Sequence, residues 1–202
     1  MVLKYLARIV SLSGLAILTA CTEPTVSETV QTPSTQSEIR VTFSQQHQDH
    51  AFAFLFGEWV GTATGRTAEG FYEVTQTERV GPMLDGDIIV VNGTGYSDDR
   101  TVAFEAFGII SKTPDGQGWQ MRSYNDGREG TFPIMLDGTS YAWTLPAGPD
   151  AKMEFQATVT GDNWVSTGTY HREGIEPMET FRMTLTRQGP SGWPAAAPVS
   201  YK

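Results

Sequence analysis

The chain has 202 residues, of which 39% are hydrophobic, 11% aromatic and 18% charged, with 21 glycines, 11 prolines and a formal net charge of −9. That length holds one domain with appendages, and the mixture excludes a coiled coil, a collagen-like repeat and a wholly disordered chain. The acidic balance argues against nucleic acid as a partner, the one cysteine leaves no internal disulfide or cysteine-rich metal site, and three histidines offer little for a metal centre.

Residues 1–20 read as a targeting segment, a signal peptide. Lys4 and Arg8 make a positive start, and Ile9 to Leu18 form an apolar run too short to span a bilayer. The segment ends in Leu18-Thr19-Ala20-Cys21. This resembles the lipobox of bacterial lipoproteins, in which the cysteine becomes the lipid-modified first residue after cleavage. The resemblance implies a membrane partner through an anchor at Cys21. An ordinary secretory peptide or an uncleaved anchor is the alternative. Thr22 stands where inner-membrane retention patterns carry Asp, which implies the outer membrane, facing the periplasm. Cleavage removes two cations and no acid, so the acidic body is expected to meet the membrane through acyl chains rather than a basic patch. Residues 21–42 are rich in Thr, Ser, Pro, Gln and Glu without apolar periodicity, and read as a disordered tether. Fully stretched, it would reach roughly 65 Å.

The body is expected over 43–188. Ser44 to Phe56 is the one helix candidate, with Ser44 as N-cap and Phe52, Leu55 and Phe56 on one face. After it, Gly, Pro and Asp clusters recur every 8–14 residues, among them Gly81-Pro82, Asn125-Asp126-Gly127, Asp137-Gly138 and Gly161-Asp162-Asn163. Nine such turns separate β-rich stretches such as Phe71 to Thr77, Thr101 to Phe107, Met153 to Val159 and Phe181 to Thr186. Nine turns join ten strands. An open meander of that size leaves two long edges, and closing it removes both. The expected fold is therefore all-β: an antiparallel up-and-down β-barrel of about ten strands preceded by one short helix, with a two-sheet sandwich as the alternative. Ten strands leave more interior than eight, so the fold itself suggests a cavity. Residues 189–202, with three prolines and a run of alanines, read as a loose tail.

The opening strand carries Gly57-Glu58-Trp59. A Gly-x-Trp there resembles the lipocalin and fatty-acid-binding-protein superfamily. Longer pieces look like the bacterial barrel domains of the DUF1579 type: Leu55 to Gly61, Thr75 to Val80 with Leu84-Asp85-Gly86, Phe104 to Gly108, Met121 to Tyr124, and Phe181 to Arg187. A more distant similarity is to the nitrobindin-like haem-binding barrels. The superfamily resemblance implies that Arg187, on the last strand, packs over Trp59 and that the two close the barrel. A guanidinium on an indole face is worth about 1–2 kcal/mol when desolvated.

Strand parity supplies the candidate ligand-binding residues. Tyr72, Val74, Gln76, Glu78 and Val80 share one face, the more apolar one, and are expected to point inward. Arg122 and Tyr124 share a face further on, and Arg122 or Arg187 is the expected partner of a buried Glu78. Gln76, Glu78, Arg122 and Tyr124 are thus the groups that would orient a ligand, against the reading of a solvated face or a structural ion pair. His47 and His50, spaced i, i+3, are a weak metal pair and read better as exposed helix histidines. His171 is the only histidine near the last strands, where nitrobindin-like barrels hold haem, so haem is disfavoured and no cofactor is expected. No Gly-x-Ser-x-Gly or His-Glu-x-x-His occurs. Asn92-Gly93-Thr94 matches a glycosylation acceptor, a pattern with little meaning in a bacterial lipoprotein.

The function expected is non-covalent binding of a small hydrophobic or amphipathic ligand inside a lipid-anchored barrel. The alternatives are an enzyme using Glu78 as a general acid or base, and a structural or interaction lipoprotein with a filled core.

Overall fold

The computed structural model describes residues 47–67 and 70–193. The signal segment, the tether and Ser44 lie outside the described residues. Ten antiparallel strands follow one another: β1 (Gly57–Thr67), β2 (Gly70–Met83), β3 (Ile88–Tyr96), β4 (Val102–Lys112), β5 (Trp119–Asn125), β6 (Arg128–Asp137), β7 (Ser140–Pro146), β8 (Ala151–Thr160), β9 (Asn163–Arg172) and β10 (Ile175–Gly189). Each pairs with the next, and β10 returns to β1, closing the barrel. The hairpin turns use the chemistry the sequence displays. At the β5–β6 turn Asp126 (φ 48°) and Gly127 (φ 69°) both adopt left-handed backbone, the geometry in which Asp-Gly matches strand twist.

Alternation sorts the walls. The outward faces of β2 and β10 carry Glu73, Thr75, Thr77 and Arg79, and Arg182, Thr184 and Thr186, while Val80, Met183 and Leu185 are buried inside. Polar outside and apolar inside is the reverse of a membrane-spanning barrel.

The helix expected over 44–56 is corrected. The described residues form successive tight turns ending in a single 3₁₀ turn, Ala53–Leu55. His50 Nδ1 accepts the Phe52 N–H at 3.0 Å, a local bond that competes with helix. The segment serves instead as a plug. Phe52 and Leu55 are fully buried beside Trp59, Val80, Ile89, Ile110 and Leu185. Each such side chain contributes about 1.5–3 kcal/mol by leaving water.

Trp59 and Arg187 seal this end. The guanidinium lies 3.9 Å from the Trp59 ring centroid, and donates to Phe54 O at 2.8 Å and to Phe56 O. It also meets Asp162 at 3.1 Å, while Trp59 Nε1 donates to Leu55 O at 2.9 Å. Arg187 thereby ties β10 to the plug. Next to it Gly61 brings β1 so near β10 that any Cβ would collide with Thr184 O.

The boundary of the loose tail moves. β10 runs to Gly189, Ser191 is buried, and Trp193 packs over Gly81 with Arg79 5.7 Å from its ring. The glycine at 81 leaves the outer wall of β2 bare enough to receive an indole. Residues 194–202 lie outside the described residues.

Candidate functional site

The interior between the plugged end and the opposite end is built on the inner face of β2. Gln76 pairs across the wall with Gly61 on β1 and Gly95 on β3; Glu78 pairs with Trp59 and Gly93. The glycines are there for space. A Cβ at Gly93 would stand 2.5 Å from Glu78 Oε1 and 2.8 Å from Oε2, and one at Gly95 would stand 3.1 Å from Gln76 Oε1. The polar pair therefore lies flat in a groove of the wall, against backbone, where side chains would otherwise stand.

Gln76 Nε2 donates to Glu78 Oε1 at 2.9 Å. Glu78 Oε2 is sealed from solvent and has no hydrogen-bond partner among the described residues. Burial pushes the carboxyl up to about 7, opposed only by the Gln76 bond. Across the interior lies Tyr141, 7% exposed on β7. Burial raises its hydroxyl well above the usual tyrosine range, and the Glu78 charge adds to the rise. The Trp164 indole lies beside that phenol, and Trp164 Nε1 closes no hydrogen bond of ordinary geometry among the described residues.

Above this floor runs an arc of aromatic rings. Tyr141 stacks on Trp143 with centroids 5.6 Å apart, and Trp143 on Phe155 at 4.9 Å. Phe155 meets Phe181 edge-on at 5.8 Å, across Gly168, where a Cβ would stand 2.8 Å from the Phe155 ring. Trp143, Phe155 and Phe181 all point inward, yet each is only half-buried. The rim at this end, formed by the β1–β2, β3–β4 and β9–β10 hairpins, exposes Phe71, Val102, Phe104, Ile175 and Met178. One end of the barrel is thus plugged and sealed, and the other is an aromatic mouth with an apolar rim.

The sequence-based candidates divide. Gln76 and Glu78 meet inside. Arg122 and Tyr124 do not join them. Register places Met121 opposite Ile110 and Ser123 opposite Gly108, both inward, so Arg122 and Tyr124 stand on the outer surface. The expected Glu78–arginine pair is accordingly replaced by Glu78–Gln76, with Arg187 committed to the plug. Tyr124 lines an open depression of about 600 Å³ with Phe107 and Glu129. Tyr141, Phe155 and the glycine groove went unrecognised in the sequence.

His47 lies 3.7 Å from Asp85, and His50 packs against Trp119. Among the described residues no group of three metal-ligating side chains converges. His171 faces outward on β9, 3.8 Å from Glu154. None of the three histidines points into the mouth, so the residues present do not fit an axial haem ligand there.

No family model matches the sequence, and no curated protein does. Among solved structures the fold is similar to the crystal structure of Rv2717c from M. tuberculosis, with a TM-score of 0.52 and 12% identity. The match covers 68% of this chain and 95% of that one. At that identity the likeness establishes a shared barrel fold.

Proposed function

We propose that the chain is a lipid-anchored envelope protein of the DUF1579-like type, which binds a small apolar or amphipathic molecule in the barrel mouth. The observation that carries the reading is the asymmetry of the interior. One end is plugged by Phe52 and Leu55, while the other presents half-exposed inward rings inside an apolar rim. A purely structural barrel gains by burying such rings, whereas a binding site keeps them reachable. The ligand's apolar body would lie against Trp143, Phe155 and Phe181, and its polar end would face Gln76 and Glu78. Envelope anchoring rests on the Leu18-to-Cys21 motif, and Cys21→Ser should release the protein from membranes on fractionation.

Native mass spectrometry of the protein purified from cells without denaturation tests the binding reading. An added mass lost on denaturation supports it and sizes the ligand. A bare mass, with no uptake of an apolar fluorescent probe, refutes it. A barrel enzyme is favoured by one observation, a carboxyl poised at about 7. Against it, the side chain hydrogen-bonded to Glu78 among the described residues is Gln76, which is neither acid nor base, and burial holds the facing Tyr141 hydroxyl well above the usual tyrosine range.

A further inference from the structure

We infer that the interior selects an organic cation, an amine carried on an apolar body, with its ammonium on the Glu78 carboxylate. The inference rests on the ligand-binding reading and names the class of ligand within it.

Glu78 is half-buried with its Oε2 sealed from solvent, and among the described residues no Lys, Arg or His pairs with it. The side chains facing it are Gln76 on its own strand and Tyr141 from β7, both uncharged at neutral pH, with the Trp59 backbone opposite on β1 and Gly93 opposite on β3. Arg187, an inward cation, is held at the plug by two carbonyls, Asp162 and the Trp59 ring. Without a countercharge the buried acid favours its protonated form, and a cation brought by a ligand is what would hold it ionised.

An ammonium fits what the site lacks. It supplies the missing positive charge and a donor for Oε2, with further donors for the Tyr141 hydroxyl. The aromatic rings around the acid, Tyr141 and beyond it Trp143, are surroundings that tolerate a cation better than they do an anion. A neutral alcohol offers one donor and no charge. A carboxylate, the headgroup of a fatty acid, would meet Glu78 as a like charge.

Protonation gives the inference a signature. Ammonium binding needs the ionised acid, whose titration lies at about 7. Amine affinity should therefore rise with pH through neutrality, roughly 30-fold from pH 5.5 to pH 8, before a free amine loses its own proton near 10. Tyr141 stays neutral throughout that range.

The test is calorimetric titration of the protein purified from cells with 4-phenylbutylamine, 4-phenylbutan-1-ol and 4-phenylbutyrate. At pH 8 the amine should bind at least tenfold tighter than the alcohol, with the butyrate weakest. The advantage should collapse at pH 5.5 in the wild type, and at both pH values in Glu78→Gln. An unchanged near-ultraviolet circular dichroism spectrum and a cooperative urea transition show that the variant's barrel is intact. Because the wild-type pH dependence is a separate readout, the inference stays testable if the variant folds poorly. Equal or tighter binding of alcohol or butyrate by the wild type overturns the cation preference and leaves ligand binding standing. Failure of all three probes to bind also overturns it, and the native mass spectrum then decides separately whether the barrel binds anything.

Discussion

Replacing Glu78 by Gln should make the protein more stable at neutral pH and leave it nearly unchanged in acid. In the unfolded chain the carboxyl loses its proton near its ordinary value of 4.5; in the barrel it does so at about 7. Between those values the native state holds the extra proton. Wild-type stability therefore falls as pH rises from about 4.5 to about 7, and is flat above. At 1.36 kcal/mol per unit, the full effect is about 3 kcal/mol. Glutamine keeps the shape and the contact with Gln76 but cannot ionise, so it escapes this loss. For a domain of this size the difference corresponds to roughly 6–12 °C in Tm at pH 8, vanishing by pH 4. The assay is paired urea and thermal unfolding of both proteins from pH 4 to pH 9. A constant offset between them would report only the swap of oxygen for amide. A stability difference that does not change between pH 5 and pH 8 refutes the reasoning, because Glu78 would then be a solvated acid.

Arg187→Lys should cost about 2–3 kcal/mol by urea unfolding. A lysine cannot serve Phe54 O, Phe56 O and the Trp59 face at once, and the exposed Asp162 contributes little to that total. Gly93→Ala should cost about 1–3 kcal/mol through its collision with the Glu78 carboxylate, and the cost should largely disappear in a Glu78→Ala background. If the two substitutions are additive in unfolding titrations, Glu78 does not lie in the glycine groove. Arg122→Ala should leave both stability, within about 0.5 kcal/mol, and the binding of 4-phenylbutylamine unchanged, since the side chain is on the outer surface. A tenfold loss of that binding would restore Arg122 to the site.

The strand number was legible because each hairpin carries its own local signal, the Gly and Asp residues of the turns, whose backbone demands do not depend on tertiary context. The inward face of β2 was legible too, since Val74 and Val80 flank Gln76 and Glu78 at period two. The same reasoning misplaced Arg122 and Tyr124. On β5 the inward set, Trp119, Met121, Ser123 and Asn125, is no more apolar than its neighbours, so alternation alone assigns no face. Pairing with Ile110 and Gly108 does assign it. The helix before β1 was misread because Phe52, Leu55 and Phe56 are apolar for plugging a barrel end rather than for coating a helix. The groove did leave a trace: glycines at 93 and 95 repeat at strand period, which marks close approach of another group to the backbone. The Asn92-Gly93-Thr94 pattern drew attention to the wrong residue of the three.

The arrangement of Glu78 is hard to account for by stability alone. An apolar residue at 78, with alanine or valine at 93 and 95, would fill the same space, keep the barrel closed and avoid an ionisable group at the centre. Instead β3 gives up two side chains so that a carboxylate can lie sealed against its backbone. The compensation is partial, since Gln76 satisfies one oxygen and leaves the other. Departures from good packing and polar satisfaction concentrate where a protein uses them. Here the departure stands between a plug that needs no polar group and a mouth whose rings remain reachable. That position ties the acid to whatever enters the mouth.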